Sequence, residues 1–196
     1  MKKTLTLLLA FISITLNAQN TMNDSLPYAT IPDAPETFTA GTVVSRMIDG
    51  LGFRYYWATE GLTPNELEYQ PGNDARTIAQ TMDHVYNLSL TVLRSAQKRP
   101  RDFSEKQPSM NTDEKRKKTL ENLAEASVLF KTTKDLVEHK VIFVRPKGTS
   151  EFPIWNQING PIEDAVWHAG QIVTLRRIAG NPINPKVNVF LGKLND

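Results

Sequence analysis

The chain has 196 residues, with 23 lysines and arginines against 21 aspartates and glutamates, and no cysteine. The missing cysteine excludes disulfides, thiolate metal ligands, a cysteine nucleophile and a lipidated N-terminal cysteine. The length suits one domain with its own apolar core, and the near balance of charge argues against non-specific nucleic-acid binding.

The chain opens with the pattern of an export signal. Lys2 and Lys3 precede an uncharged, mostly apolar run from Leu5 to Leu16, and Ala18 offers a cleavage point before Gln19. The run is short for a bilayer span and has the basic-then-apolar order of a secretory signal peptide. Residues 1–18 are therefore expected to be removed, with the protein periplasmic or extracellular; the alternative is an uncleaved N-terminal anchor. Without the two lysines of that stretch, basic and acidic residues are equal at 21 each. No later segment is apolar enough to span a membrane, so no membrane contact is expected after cleavage.

Residues 19–39 are polar and carry Pro27, Pro32 and Pro35, which predicts an extended lead-in to a helical domain over 40–196. Val44, Met47, Ile48, Leu51 and Tyr55 recur at helical spacing and predict a helix over 40–61. Gly50 and Gly52 would weaken it by roughly 1 kcal/mol each relative to alanine. After a loop with Pro64, Pro71 and Gly72, Asp74 or Thr77 opens a second helix over 74–97, with the stripe Ile78, Met82, Val85, Val92 and Leu93. A polar break leads to Thr112, which caps a third helix over 113–139. Asp113 and Glu114 sit in its first turn, where the helix dipole favours acid. Residues 141–145 are apolar and partly β-branched and could form a short extended segment. A fourth helical stretch over 153–179 is interrupted by Gly160-Pro161, which should kink or restart it, and ends at Gly180. Four long helices with no convincing sheet predict an all-α four-helix bundle with a kinked last helix.

Histidine occurs three times. On a helical projection His84 lies about 120° from the centre of the second apolar stripe, beside Leu88. His168 lies about 80°, and Asp164 about 120°, from the centre of the fourth. All three thus flank their stripes, where a bundle keeps pockets. Asp164 and His168 are four apart and project from one side of a helix. With His84 they would form two imidazoles and one carboxylate, a three-ligand set that leaves coordination positions open for water or substrate. Such a set suits zinc, iron, nickel or manganese, and the spacing does not choose among them. Gln171, three residues after His168, could orient a ligand or hold a water. Spacing alone has an ordinary reading too: an acid in a helix's first turn, with a polar neighbour one turn on.

Two runs add to this. Glu66-Leu-Glu-Tyr-Gln-Pro71, followed by Thr77-Ile78 and His84, resembles the opening of the DinB-like family of helical bundles. Asn159-Gly-Pro-Ile-Glu-Asp164-Ala-Val-Trp-His168-Ala-Gly-Gln171, with Arg176-Arg177 and Gly180-Asn-Pro182 beyond it, resembles that family's last helix. The resemblance spans about residues 40–182. It implies a divalent metal held by three histidines, two of them four apart on the last helix. His84 and His168 match that pattern and position 164 departs from it, with aspartate for histidine. Family members include thiol-cofactor-dependent transferases and isomerases and many uncharacterised metalloenzymes, and pairing into homodimers is common among them.

Other residues have simpler readings. His139 would sit at the end of the third helix beside Lys140, where positive charge complements the dipole. The basic clusters 98–101 and 115–118 would be solvated surface. The sequon at Asn87 falls inside a helix. Trp57 and Trp155 offer apolar surface for a two-fold contact between copies. Arg176 falls on the centre of the last apolar stripe and wants a carboxylate there, from Asp49, Glu60 or Glu163. Three functions remain open: an exported metal-dependent enzyme, hydrolase- or transferase-like, acting on a small molecule; a binding module, with or without metal, that does no chemistry; and a structural bundle.

Overall fold

The structure, a computed structural model, describes residues 25–196. The stretch expected to be a signal peptide and the first part of the expected lead-in lie outside the described residues. The chain is mostly helical, with a few short strands. Four long helices, α1 (Ala40–Thr59), α3 (Ile78–Ala96), α4 (Thr112–Lys131) and α6 (Glu163–Ile178), form a closed ring. In it α4 packs on α1 and α3, and α6 packs on the same two. A single turn, α2 (Pro64–Leu67), bridges α1 and α3.

Three of these helices begin with reciprocal caps. Thr39 with Thr42, Thr77 with Gln80, and Asn111 with Glu114 each bond the other's backbone N–H, satisfying two otherwise orphaned donors. The apolar stripes then meet in one core: Ile48, Leu51 and Tyr55 from α1, Ile78, Met82 and Val85 from α3, Leu120, Leu123 and Phe130 from α4, and Ala165, Ala169 and Ile172 from α6. Each large aliphatic or aromatic side chain buried there contributes about 1.5–3 kcal/mol.

Two glycines permit close approaches. A Cβ on Gly41 would lie 2.4 Å from the Phe130 carbonyl oxygen, so α1 and α4 meet backbone to backbone there. A Cβ on Gly52 would lie 2.4 Å from the Tyr28 ring. The lead-in tyrosine is thereby seated against α1, with its hydroxyl donating to Asp49 Oδ1 at 3.1 Å. The glycine that weakens the helix locally is what admits Tyr28.

The third helix is shorter than its periodicity predicts. It stops at Lys131 rather than near residue 139. Thr132 and Thr133 both bond back to the Leu129 carbonyl, and Asp135 accepts from the Val137 N–H. Short polar side chains thus offer the backbone partners that compete with a further helical turn. His139 is consequently at no helix end. It is buried, with Nδ1 3.1 Å from the Ser95 carbonyl, Nε2 3.1 Å from the Thr133 hydroxyl, and its ring on Phe130.

Strands also extend beyond residues 141–145. β2 (Val141–Arg145) pairs antiparallel with β3 (Gly148–Phe152) across the two-residue turn Pro146-Lys147. β1 (Arg101–Asp102) adds to β2 in parallel, and β4 (Val187–Asn188) pairs with β5 (Lys193–Leu194). Gly148, at φ +134°, takes a backbone conformation that other residues rarely adopt, which lets the chain double back.

The last helical stretch is divided in three: α5 (Ile154–Gln157), a π-helical turn (Ile158–Ile162) and α6. Pro161 has no N–H to donate to the ladder, and Gly160 leaves helical geometry at φ −89°, ψ −106°. Near the far end, Arg176 is buried but takes none of the three carboxylates expected for it. Its guanidinium donates to the main-chain carbonyls of Ala58 at 3.1 Å and Glu60 at 2.8 Å, closing the C-terminus of α1. It also donates to the Asn181 carbonyl at 2.7 Å and side-chain oxygen at 3.1 Å. Unpaired helix-end carbonyls carry the partial negative charge that a cation seeks. Asn181 in turn donates to Glu66 Oε2 at 3.0 Å, so the loop motif acts one residue removed. The 115–118 cluster is not simply solvated either. Lys115 reaches Asp83 at 2.8 Å, and Arg116 reaches Glu60 at 2.6 Å, tying α4 to its neighbours.

Candidate metal centre

The capped start of α3 puts His84 on that helix's second turn, on the flank that faces α6. The core residues Ala165, Ala169 and Ile172 fix the roll of α6 and leave Asp164 and His168 on the flank that faces α3. The three side chains converge. His84 Nε2 is 3.1 Å from Asp164 Oδ2, and His168 Nε2 is 3.3 Å from Asp164 Oδ1. One carboxylate therefore divides its two oxygens between two imidazoles. The imidazole rings meet edge to face at 4.7 Å between centroids.

One ligand atom from each of the three residues can be chosen so that all lie within 4.8 Å of one another, so the cluster could hold a metal ion. Ligand bonds of about 2.0–2.2 Å around a tetrahedral zinc place neighbouring ligand atoms roughly 3–3.5 Å apart. The carboxylate contacts already have that spacing, and the widest pair in the set, within 4.8 Å, needs to close by at most about 1.3–1.8 Å. Side-chain exposures of 30% for His84, 38% for Asp164 and 18% for His168 leave the cluster partly open to solvent.

Gln171 orients the second histidine. Its Oε1 is 2.8 Å from His168 Nδ1. An amide oxygen only accepts, so Nδ1 is the donor of this bond, and a neutral ring would present a lone pair at Nε2. That lone pair would face carboxylate Oδ1 across 3.3 Å. Two acceptors so placed repel unless a cation, either a metal ion or a proton, lies between them. The arrangement is the familiar one in which a ligating histidine is held by a hydrogen bond through its other nitrogen. His139 stands apart, engaged with Ser95 and Thr133. Burial lowers its pKa below the usual histidine value.

The helical projection had no means of showing what lies beside the cluster. A pocket of about 290 Å³ adjoins Asp164. Its walls include Leu88 of α3, Gly160 and Pro161 of the π-helical turn, and Phe143 and Phe152 of the β2–β3 hairpin. The signal that could have found it is the apolar run Val141-Ile-Phe143-Val144, in which Val141 and Phe143 fall on one face of a strand. Comparison with protein-family models, with curated proteins and with solved structures gives no match to this chain.

Proposed function

We propose that this chain is an exported, DinB-like helical bundle that binds one divalent metal at His84, Asp164 and His168 and uses it to hydrolyse a small molecule. The observation that carries the reading is the convergence of those three side chains, from helices far apart in sequence, with Gln171 fixing the tautomer of one of them. A divalent ion held by two imidazoles and one carboxylate supplies Lewis-acid chemistry, polarising a carbonyl and making a water acidic enough to attack it near neutral pH. The chain's own part is to hold the donors. Asp164 contributes the one negative charge, His84 and His168 contribute neutral donors, and no fourth protein ligand among the described residues closes the set. The partly exposed cluster leaves room for substrate on the open side. Hydrolysis suits a site outside the cytoplasm better than transfer to a thiol cofactor, which is scarce there. The leader-like residues 1–18 support export, and the sequence runs around His84 and His168 support the DinB-like assignment.

The test is metal analysis of the purified protein followed by substrate screening. One equivalent of metal, lost in His168→Ala, together with metal-dependent cleavage of an ester or amide, is the expected result. Metal without turnover would leave a binding module, and failure of zinc, iron, nickel or manganese to bind would overturn the centre altogether.

We propose further that two copies pair. Trp155 and Trp167 are 70% and 79% exposed. Trp57 is a weaker contributor than its sequence position suggests, because its indole N–H donates internally to the Ala29 carbonyl at 3.1 Å. Sedimentation should show a dimer that Trp155→Ser weakens; a monomer throughout would refute pairing.

A further inference from the structure

The pocket beside Asp164 has a definite chemical character. Moving along α3 from His84 to Leu88 and Thr91 moves back along the opposite wall from His168 through Asp164 to Gly160. The pocket therefore adjoins the candidate metal centre at Asp164, the residue the two share, and lies to one side of it. The β2–β3 hairpin forms its outer wall. Val141 pairs directly with Phe152 across the ladder, and Phe143 lies two residues along the same strand. All three project from one face of the hairpin, toward the pocket. Phe143 and Phe152 meet edge to face with centroids 6.1 Å apart. The central strand β2 is braced in turn, because the Arg145 guanidinium lies 4.7 Å from the centroids of both Phe143 and Phe103. On the inner side, Thr91 donates its hydroxyl proton to the Asn87 carbonyl at 3.2 Å, so toward the pocket it can only accept. Asp164 is the one charged residue on the wall.

The pocket is thus charged at Asp164 and mostly apolar elsewhere, with Thr91 and Asn156 its other polar residues. An apolar cavity of about 150 Å³ is enough to take a benzene ring. A pocket of about 290 Å³ holds such a ring with space for the atoms that link it to a reacting group. Aromatic walls favour an aromatic guest, since rings prefer edge-to-face or offset contact at centroid distances of about 4.5–7 Å.

We propose that the substrate of this centre carries an aryl group, seated between Leu88 and the Phe143–Phe152 face of the hairpin, with its reacting polar end directed to Asp164. This rests on the metal-centre reading for the polar end and on the pocket alone for the aryl end.

The experiment separates the two. Zinc-loaded full-length protein is titrated calorimetrically with benzohydroxamate, cyclohexanecarbohydroxamate and acetohydroxamate, which share a chelating head and differ in the group behind it. Benzohydroxamate should bind at least about tenfold more tightly than acetohydroxamate and more tightly than the cyclohexyl probe. Phe152→Ala, on a partly exposed strand position, and Thr91→Leu, which fills the pocket, should each reduce that ratio to about threefold or less while zinc stoichiometry stays at one. Equal affinity for the three probes on zinc-loaded protein would overturn the aryl site and leave the metal centre standing. Metal-free protein is titrated in parallel with benzyl alcohol and with ethanol, observed through the Leu88 methyl resonances. A shift with benzyl alcohol alone supports the aryl site even if zinc fails to bind. No shift with either overturns it whatever the metal does.

Discussion

His84 on α3 and Asp164 on α6 are 80 positions apart in the chain, yet His84 Nε2 and Asp164 Oδ2 lie 3.1 Å apart. With His168 at 3.3 Å from the other oxygen, the carboxylate is the hub of the cluster. Asp164→Asn keeps its size and removes its charge. Zinc affinity should then fall by more than the roughly 10–100-fold expected for a residue that only positions a ligand. Gln171→Ala should fall within that range, because it frees the His168 ring without removing a donor. Competition titration against a chromogenic chelator measures both, with circular dichroism confirming that the fold persists. Equal losses in the two variants would contradict these roles.

Acid should release the metal. Ligation needs both imidazoles deprotonated, and each proton bound competes with the ion. Between pH 7.5 and pH 5.5 zinc affinity should therefore fall, as protons compete with the ion for the two imidazoles. An affinity unchanged over that range would mean that the histidines are not ligands.

His139 predicts a separate pH effect, on stability. Burial depresses its pKa in the folded state, and its neutral ring is packed against Phe130. As pH falls below about 6.5 the unfolded chain takes up a proton that the folded chain resists, so the folded state loses stability. The stability this group provides is complete above that pH and declines as pH falls toward the lowered folded-state value. Urea unfolding at pH 7.5 and pH 5.5 should show the loss in the wild type, and His139→Gln should narrow the gap between the two pH values. A gap of the same size in the variant would assign the acid sensitivity to other groups.

Arg176→Ala leaves the α1 carbonyls of Ala58 and Glu60 without their buried donor. A cost of about 3 kcal/mol is expected, in line with the loss of several charge-assisted hydrogen bonds at a buried site. Arg176→Lys should recover little of it, since an ammonium cannot span the fork between the carbonyls of α1 and Asn181. Denaturant midpoints report both. A lysine variant as stable as the wild type would show that charge alone suffices.

Two glycine substitutions should act in opposite directions. Gly41→Ala drives a methyl against the Phe130 carbonyl and should cost about 1–3 kcal/mol, the usual range for overpacking. Gly170→Ala, in α6, meets nothing within 4 Å and should stabilise by roughly 0.5–1 kcal/mol through helix propensity. Thermal unfolding with both variants side by side gives the signs directly.

The long helices and the site residues were legible because both depend on periodicity. The 3.6-residue repeat placed Ile78, Met82 and Val85 inward and His84, Asp164 and His168 on the flanks, and the structure brings those three together. The end of α4 was hidden because Leu136 continues the apolar repeat, while the competing bonds of Thr132, Thr133 and Asp135 are local and leave the pattern unbroken. The partner of Arg176 was hidden for another reason. Main-chain carbonyls have no residue letter, so a search for carboxylates passes over the end of a helix. The hairpin wall of the pocket depends on β3, whose Gly-Thr-Ser-Glu run looks like a polar loop until it has β2 to pair with.

The π-helical turn at Ile158–Ile162 carries the length of about one extra residue within a helical path. Each residue of an α-helix advances the azimuth by about 100°. Deleting one residue from this turn would remove the extra length, with Pro161 still interrupting the ladder, and rotate whatever lies on one side of it by that amount. The core contacts of Ala165, Ala169 and Ile172 hold α6 in place, so the rotation falls on α5, and Asn156 would swing off the pocket wall while Asp164 and His168 stayed. The turn is thus a point at which the chain can gain or lose a residue and reshape the pocket wall while Asp164 and His168 keep their places, so that the two can vary independently as the sequence diverges.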